Sequence, residues 1–446
     1  MSIKGKRNTA YFLSAVISAG TIVFTAWLLW LVNVKTQSGA IGYFGLISLT
    51  AILTSIKVKT QKSFAVRLFL LVLLPYVGAT INLYLLFQFK PKKSKNYEKV
   101  RLWVDKQHKL KEGKNEITYF TDGKSYFDDL ICEIEKAKTE VLIFSYIFTF
   151  GKSSTEIFNA LFTLLQRGVK VTLSADYFGS GNVNRSETVK ALKKNGLRVI
   201  IKNKPFPLLY YKDNSRYHAK VVFIDKKIVY LSSANTDDKS LFEDENCAVK
   251  IKGNVADYYD AYGVLFGFKE KEPYVCGTSY PILSEGDIKE NGLYSLLISK
   301  AENSVKIVTP YLSFDEEVKK IIENKAKKGG KISFIVPCGG FTKTDSLTKY
   351  FAETAQNVGA EVYFYDKKFL HKKMIIVDDY LAVTGSNNFD LRSGYAVESL
   401  TISVDNGLIA PLLKDFDRIL KNSVTKKTAR TNALLGKVYS LMAPLV

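Results

Sequence analysis

Histidine is nearly missing from this chain: three residues in 446, at positions 108, 218 and 371. No cluster of His and carboxylates has metal-ligand spacing, so chemistry without a bound metal or other cofactor is expected. Cysteine is almost as scarce. Cys132, Cys247, Cys276 and Cys338 are scattered with no C-x-x-C pair. That argues against a disulfide framework or a zinc site and points to a reducing compartment. Acidic residues are in deficit as well, 43 against 64 Lys and Arg, for a net charge of +21. A balance this basic implies a polyanionic partner or surface, either nucleic acid or anionic lipid.

Two of the three histidines fall in one repeated pattern. Tyr217 to Asn235 reads YHAKVVFIDKKIVYLSSAN, and Leu370 to Glu398 reads LHKKMIIVDDYLAVTGSNNFDLRSGYAVE. His218, Lys220, Asp225 and Asn235 repeat the spacing of His371, Lys373, Asp378 and Asn388. Each copy reads as a strand, a turn at the aspartate and a second strand. Residues two apart on a strand share a face, so each His and its Lys point the same way. Gly385, Ser386 and Asn388 bring small polar groups to the end of the second strand. An imidazole, an ammonium and a carboxamide at one sheet rim suit a phosphate. The cation and amide stabilise spread negative charge, and the imidazole attacks phosphorus or moves a proton. One His beside one Lys is ordinary solvated surface; two copies at one spacing are not. His108, in a Lys-rich linker, reads as solvated and takes no role.

The rest of the chain divides around these copies. Uncharged runs cover Ala10–Val34, Thr36–Ile56 and Leu68–Phe89, the last interrupted by Pro75 and Gly78. Residues 1–90 therefore read as a membrane domain of two or three hydrophobic helices. Basic residues fill Lys57–Arg67 and the stretch after Phe89, so the rest of the chain is expected in the cytoplasm. Three full spans cannot satisfy every flank, and either the N-terminus lies outside or the run with Pro75 is re-entrant. Residues 91–116 form a basic juxtamembrane linker suited to anionic head groups. Two α/β units follow, at 117–268 and 269–425, with helices and strands in the same order and the His motif at the same place in each. Residues 426–446 end the chain as an amphipathic segment. The expected fold is thus a tandem pair of mixed-sheet α/β units that share one site, behind a helical membrane domain.

These residues resemble the phospholipase D superfamily, whose signature is a doubled H-x-K-x4-D. More narrowly the chain is similar to bacterial cardiolipin synthases. TPYLSFDEEV, GAEVYFYDKKFLHKK and TGSNNFDLRS carry the likeness in the second half, and SYIF, DYFGSG and NSRYHAK in the first. LLPYVGATINLYLLF and LGKVYSLMAPLV resemble that family's two ends. The chain departs at Ser232–Ser233, where a Gly-Gly or Gly-Ser pair is usual. It departs again at Gly151–Lys152, where an acidic residue is common, and at Ala219, where many members carry Arg.

The resemblance implies phosphatidyl transfer between two phosphatidylglycerols, giving cardiolipin and glycerol through a phosphohistidine. It implies His218 as nucleophile and His371 as general acid and base; spacing alone cannot assign these roles. Lys220, Lys373, Asn235, Asn388 and Ser386 would hold the phosphate. A carboxylate should orient each imidazole, Glu398 in the second half and Glu245 in the first, where Asn246 competes for the place. Asp225 and Asp378 complete the motif, although their position after an apolar strand suits a structural role. Arg216 and Arg392 are cations available to a second lipid's charge. The expected partners are phosphatidylglycerol and other anionic membrane lipids rather than nucleic acid, at a multi-pass cell-membrane location. Hydrolysis to phosphatidic acid, transfer to a different alcohol, a related nuclease and an inactive scaffold are the competing readings.

Overall fold

The computed structural model describes residues 104, 114–203, 216–268, 278–285, 292–339, 345–393 and 396–425. The expected membrane domain and the terminal segment 426–446 lie outside the described residues. No helix among the described residues is long and apolar enough to cross a membrane.

The first unit opens with β1 (Glu116–Phe120) and α1 (Gly123–Glu135), then β2 (Glu140–Ser145) and α2 (Lys152–Gln166). Next come β3 (Lys170–Asp176), the single turn α3 (Tyr177–Ser180), α4 (Glu187–Lys194) and β4 (Arg198–Lys202). The hairpin β5 (Val221–Ile224) and β6 (Ile228–Ser232) leads to α5 (Asp238–Phe242), β7 (Ala248–Lys252) and α6 (Ala256–Tyr262). The second unit repeats the plan with β8 (Ser279–Glu285), α7 (Leu293–Lys300), β9 (Ser304–Val308), α8 (Glu316–Lys327) and β10 (Lys331–Pro337). It continues with α9 (Asp345–Asn357), β11 (Glu361–Tyr365), β12 (Met374–Val377), β13 (Leu381–Gly385) and β14 (Val397–Ser403). The chain closes this unit with α10 (Asn406–Lys421) and the short β15 (Ser423–Val424).

The sheet orders are β1-β7-β6-β5-β2-β3-β4 and β8-β14-β13-β12-β9-β10-β11-β15. They match strand for strand, with β15 added at one edge. In both, a parallel trio meets an antiparallel hairpin, at β2–β5 and at β9–β12. The two hairpin strands β5 and β12 are apolar throughout because both of their faces are covered. Val222 and Ile224 turn to the helices of their own unit. Val221 and Phe223 turn the other way and share a buried layer with Met374 and Ile376 of the second unit. The two sheets thus face each other across one core.

Helix α10 fills that shared layer with Leu408, Ile409, Leu412, Phe416 and Ile419. Sequence patterning did not single it out, since Gly407 and Pro411 read as breakers. Asp405 starts it by accepting from the Gly407 N–H at 2.9 Å. The helix carries Asp415, fully buried, whose carboxylate accepts from Lys372 Nζ at 2.6 Å and from the Tyr119 hydroxyl at 2.6 Å. Arg418 Nη2 closes the group at 2.7 Å from Asp415 and also bonds Glu245. Lys372 is itself completely buried and sits between His371 and Lys373. One ion-pair cluster therefore ties β1 of the first unit, α10 of the second and the His371 segment together.

Removing Asp415 leaves Lys372 and Arg418 to share the single carboxylate of Glu245, and breaking a buried ion-pair group in this way costs about 3–5 kcal/mol. Asp415→Ala should lower unfolding stability by that amount, read from the urea midpoint. The double variant Lys372→Met with Asp415→Leu should recover most of it, because no lone charge remains.

Candidate active site

Both histidines lie in extended segments just ahead of their hairpins, not within the strands. Each segment is stitched to the opposite unit. Val397 N–H donates to Arg216 O at 2.7 Å, forming a parallel bridge between Tyr217 and Val397. His371 N–H donates to Glu245 O, and Glu245 N–H to Phe369 O, both at 2.9 Å. These bridges decide which side chain meets which ring.

His218 Nδ1 is 3.0 Å from both carboxylate oxygens of Glu398, which belongs to the second unit. His371 Nδ1 is 2.9 Å from Asn246 Oδ1, which belongs to the first. The brace is therefore exchanged: each unit orients the other's imidazole. A serine holds each brace. Ser386 Oγ donates to Glu398 at 2.5 Å, and Ser233 Oγ donates to Asn246 Oδ1 at 2.7 Å. Asn246 Nδ2 donates to Ser240 O at 2.8 Å, which fixes the amide and makes its oxygen the acceptor. His371 thus carries its proton on Nδ1 and presents the Nε2 lone pair. Gly385 permits the close approach behind Ser386: its φ is +148°, and a Cβ there would meet Ser399 O at 2.2 Å.

Two lysines complete the rim. Lys220 Nζ donates to His218 O at 2.8 Å and lies 3.2 Å from His218 Nε2. Lys373 Nζ donates to His371 O at 2.5 Å. Asn235 and Asn388 are buried, and the Oδ1 of each has no hydrogen-bond partner among the described residues. The Tyr146 ring stands edge-on to His218 at 4.8 Å, and Phe369 lies 5.5 Å from the His371 ring.

Burial and crowding of cations set the electrostatics. Desolvation, then Lys220, Lys373 and Arg392, hold His218 well below its ordinary value. Desolvation, then Lys373, Lys220 and His218, do the same to His371. Burial pushes Lys220 down to about 8, and burial together with Lys220 holds Lys373 well below the lysine range. Burial raises Glu398 to about 7 against the pull of Lys220. Each partner of the His218–Glu398 pair resists its own charge, and the two buried lysines depress each other, so an anion between them is favoured.

Four expected site residues stand elsewhere. Asp225 accepts from the Lys138, Thr139 and Glu140 N–H groups, at 2.9, 2.7 and 3.1 Å. Asp378 accepts from those of Glu302, Asn303 and Ser304, at 2.6, 2.7 and 2.7 Å. Seven extended residues at about 3.3 Å each put these aspartates roughly 20 Å from their histidines. They pin the entry to β2 and β9 and do not touch the site. The Ser386 hydroxyl, fully buried, is taken by Glu398 and Ser399, so it braces a brace and does not reach a phosphate. Glu245 bonds Arg418 and lies 3.1 Å from Lys372, not against an imidazole.

The last difference has a simple cause. Glu245 and Glu398 each follow their asparagine by ten positions. In the sheets, however, Ser232 pairs with Ala248 while Gly385 pairs with Leu400. The first copy is one residue longer there, which moves Asn246 into the brace position. In the sequence Ser233 marks only the departure at Ser232–Ser233, and Tyr146 only the SYIF block; neither points to a brace or to a ring against His218.

Paired sheets of this order, with a doubled His–Lys rim between them, fit the phospholipase D superfamily. A family profile described as cardiolipin synthase, PLD-like domain, matches residues 130–262 and 294–420. The match spans more than half of the chain, which belongs to that family. A probable cardiolipin synthase of Bacillus subtilis is 26% identical, with 87% of this chain and 88% of that protein covered. An uncharacterized protein of Streptococcus mutans is 27% identical over 74% of this chain and 78% of its own length. Cardiolipin synthase A of Buchnera aphidicola is 25% identical over 74% and 76%. Among solved structures, phosphatidylserine synthase of Haemophilus influenzae shares the fold, with a TM-score of 0.56 at 14% identity. The alignment covers 78% of this chain and 98% of that one.

An oxyanion should relieve the repulsion between the buried lysines. Tungstate at a hundredfold excess over its Kd should stabilise the protein by about 2.7 kcal/mol, seen as a rise in Tm. Lys220 is charged below about pH 8 and loses its proton above it, so the rise should shrink as pH passes that value.

Proposed function

We propose that this chain is a cardiolipin synthase that moves a phosphatidyl group from one phosphatidylglycerol to the free hydroxyl of another and releases glycerol. The observation that carries this reading is the pair of imidazoles, each held through Nδ1 by the opposite unit and set among two lysines.

His218 Nε2 attacks phosphorus, and the bond to the glycerol oxygen breaks. His371 enters this step as the imidazolium, with Nδ1–H on Asn246 and a second proton on Nε2, and gives the Nε2 proton to that oxygen. The resulting phosphohistidine is cationic while Nδ1 keeps its hydrogen, and Glu398 is its counter-ion. This is the physical reason to place the nucleophile at His218, where the brace is a carboxylate. His371, braced by a neutral amide, then takes the proton of the incoming hydroxyl as its oxygen attacks phosphorus and the P–N bond breaks. Lys220 and Lys373, with the amides of Asn235 and Asn388, stabilise the phosphoryl oxygens as charge gathers on them. Over the two steps one phosphodiester is exchanged for another of similar energy, so no nucleotide is required. The three hydrophobic runs within residues 1–90 would hold the catalytic unit at the cytoplasmic face of the cell membrane, where both substrates lie.

Purified protein given phosphatidylglycerol in detergent should form cardiolipin and glycerol in equal amounts without added nucleotide. Phosphatidic acid as the main product would instead support hydrolysis. His218→Ala and His371→Ala should each lower turnover by about 10²–10⁴-fold. Burial raises Glu398 to about 7, so its carboxylate forms as pH rises through that value. Phosphoenzyme formation should therefore rise over the same range, and Glu398→Gln should abolish the rise. A pH profile unchanged by Glu398→Gln would contradict the counter-ion role.

A further inference from the structure

Arg216 stands two residues before His218 and is not used by the steps above. Its guanidinium carbon lies 3.9 Å over the Phe178 ring. Its Nε and Nη1 are buried and have no hydrogen-bond partner among the described residues. Asp176 is the carboxylate that feels its charge. The oxygens of Asp176, however, accept from backbone: Oδ2 from Tyr217 N–H at 3.0 Å, Oδ1 from Phe178 N–H at 2.9 Å and Gly179 N–H at 3.4 Å. Buried donors left unbonded are costly unless a ligand supplies the acceptor. A cation held over an aromatic ring, with two donors unbonded among the described residues, suits an anion.

Phe178 also walls a cavity of about 400 Å³, together with Phe148, Phe150, Tyr177 and Arg185. Phe150 and Phe178 are 49% and 41% exposed, so two apolar rings of its wall stand open to solvent. The cavity is mechanically joined to the catalytic ring. Ser180 Oγ donates to Tyr146 O and accepts from Phe148 N–H, both at 2.8 Å. Gly179 packs so closely that a Cβ would fall 2.1 Å from Tyr146 O. Tyr146 in turn stands against His218. Arg216 over the Phe178 ring and Arg185 in the wall of the aromatic cavity fit an anionic amphiphile.

We propose that Arg216, stacked on Phe178, binds the phosphodiester of the acceptor phospholipid, with the start of its lipid portion in the aromatic cavity. This inference rests on the transferase reading. An acceptor phosphatidylglycerol carries its own phosphate three carbons from the hydroxyl that attacks. A transferase using it needs a second anion site close to the phosphohistidine but separate from the Lys220–Lys373 rim. A hydrolase does not. Bound there, the acceptor's hydroxyl oxygen attacks phosphorus, the P–Nε2 bond to His218 breaks and the proton passes to His371.

The test is a competition between acceptors in one reaction. Full-length protein receives phosphatidylglycerol micelles with n-butanol, and the ratio of cardiolipin to phosphatidylbutanol is measured. Both products share the donor and the phosphohistidine, so the ratio reports acceptor recognition alone. Arg216→Gln should lower the ratio at least tenfold, and Phe178→Ala should lower it in the same direction. Arg216→Lys should recover part of it. A ratio unchanged in Arg216→Gln, whether the two products fall together or neither moves, would overturn the proposal, as would a ratio that rises. Failure of the transferase reading has its own signature: wild-type protein yields phosphatidic acid and no cardiolipin, and the acceptor site falls with it.

Discussion

The structure depends on one exchange: the imidazole of each unit takes its Nδ1 partner from the other. A histidine ring without such a partner has two tautomers and a free χ2, and neither is useful to a reaction that needs Nε2 at a fixed place. Glu398 and Asn246 remove that freedom for His218 and His371. Because the partners are exchanged, neither unit can assemble a competent half-site alone. The shared apolar layer between the sheets, the bridges at Val397 and Glu245, and the Lys372–Asp415 pair all serve to hold the two halves in register.

The exchange is symmetric in geometry and asymmetric in charge. Ser233 and Ser386 occupy matching places and donate to matching acceptors, yet one acceptor is an amide and the other a carboxylate. In a dry pocket holding two lysines this difference is large. A carboxylate supports a cationic ring, while an amide only orients one. In the proposed two-step displacement this difference would give the two repeats different chemical duties.

Much of this was legible in the chain. The doubled His–Lys spacing, so conspicuous among three histidines, located the site, and β9 through β11 with their helices follow the hydrophobic periodicity closely. What escaped was whatever depends on long-range register. Glu245 and Glu398 are equivalent by count along the chain, but a single extra residue before β7 replaces one of them with Asn246 in space. Ser386 lies beside Asn388 in sequence, yet its hydroxyl turns away toward Glu398. Helix α10 is strongly amphipathic, but Gly407 and Pro411 hide it, and its role depends on two sheets that meet only in the folded chain. The motif aspartates read as structural once the strands that precede them were recognised, and the backbone amides of Lys138–Glu140 and Glu302–Ser304 account for them.

With three histidines in the chain, imidazole nitrogen resonances can be assigned by single substitutions, and the exchanged braces read directly. Long-range ¹H–¹⁵N spectra of the full-length protein should place the proton of both His218 and His371 on Nδ1. Glu398→Gln should shift the His218 nitrogens most, and Asn246→Leu should shift those of His371 most. The opposite pattern, with Glu398→Gln acting on His371 and Asn246→Leu on His218, would contradict the exchange on which the account is built.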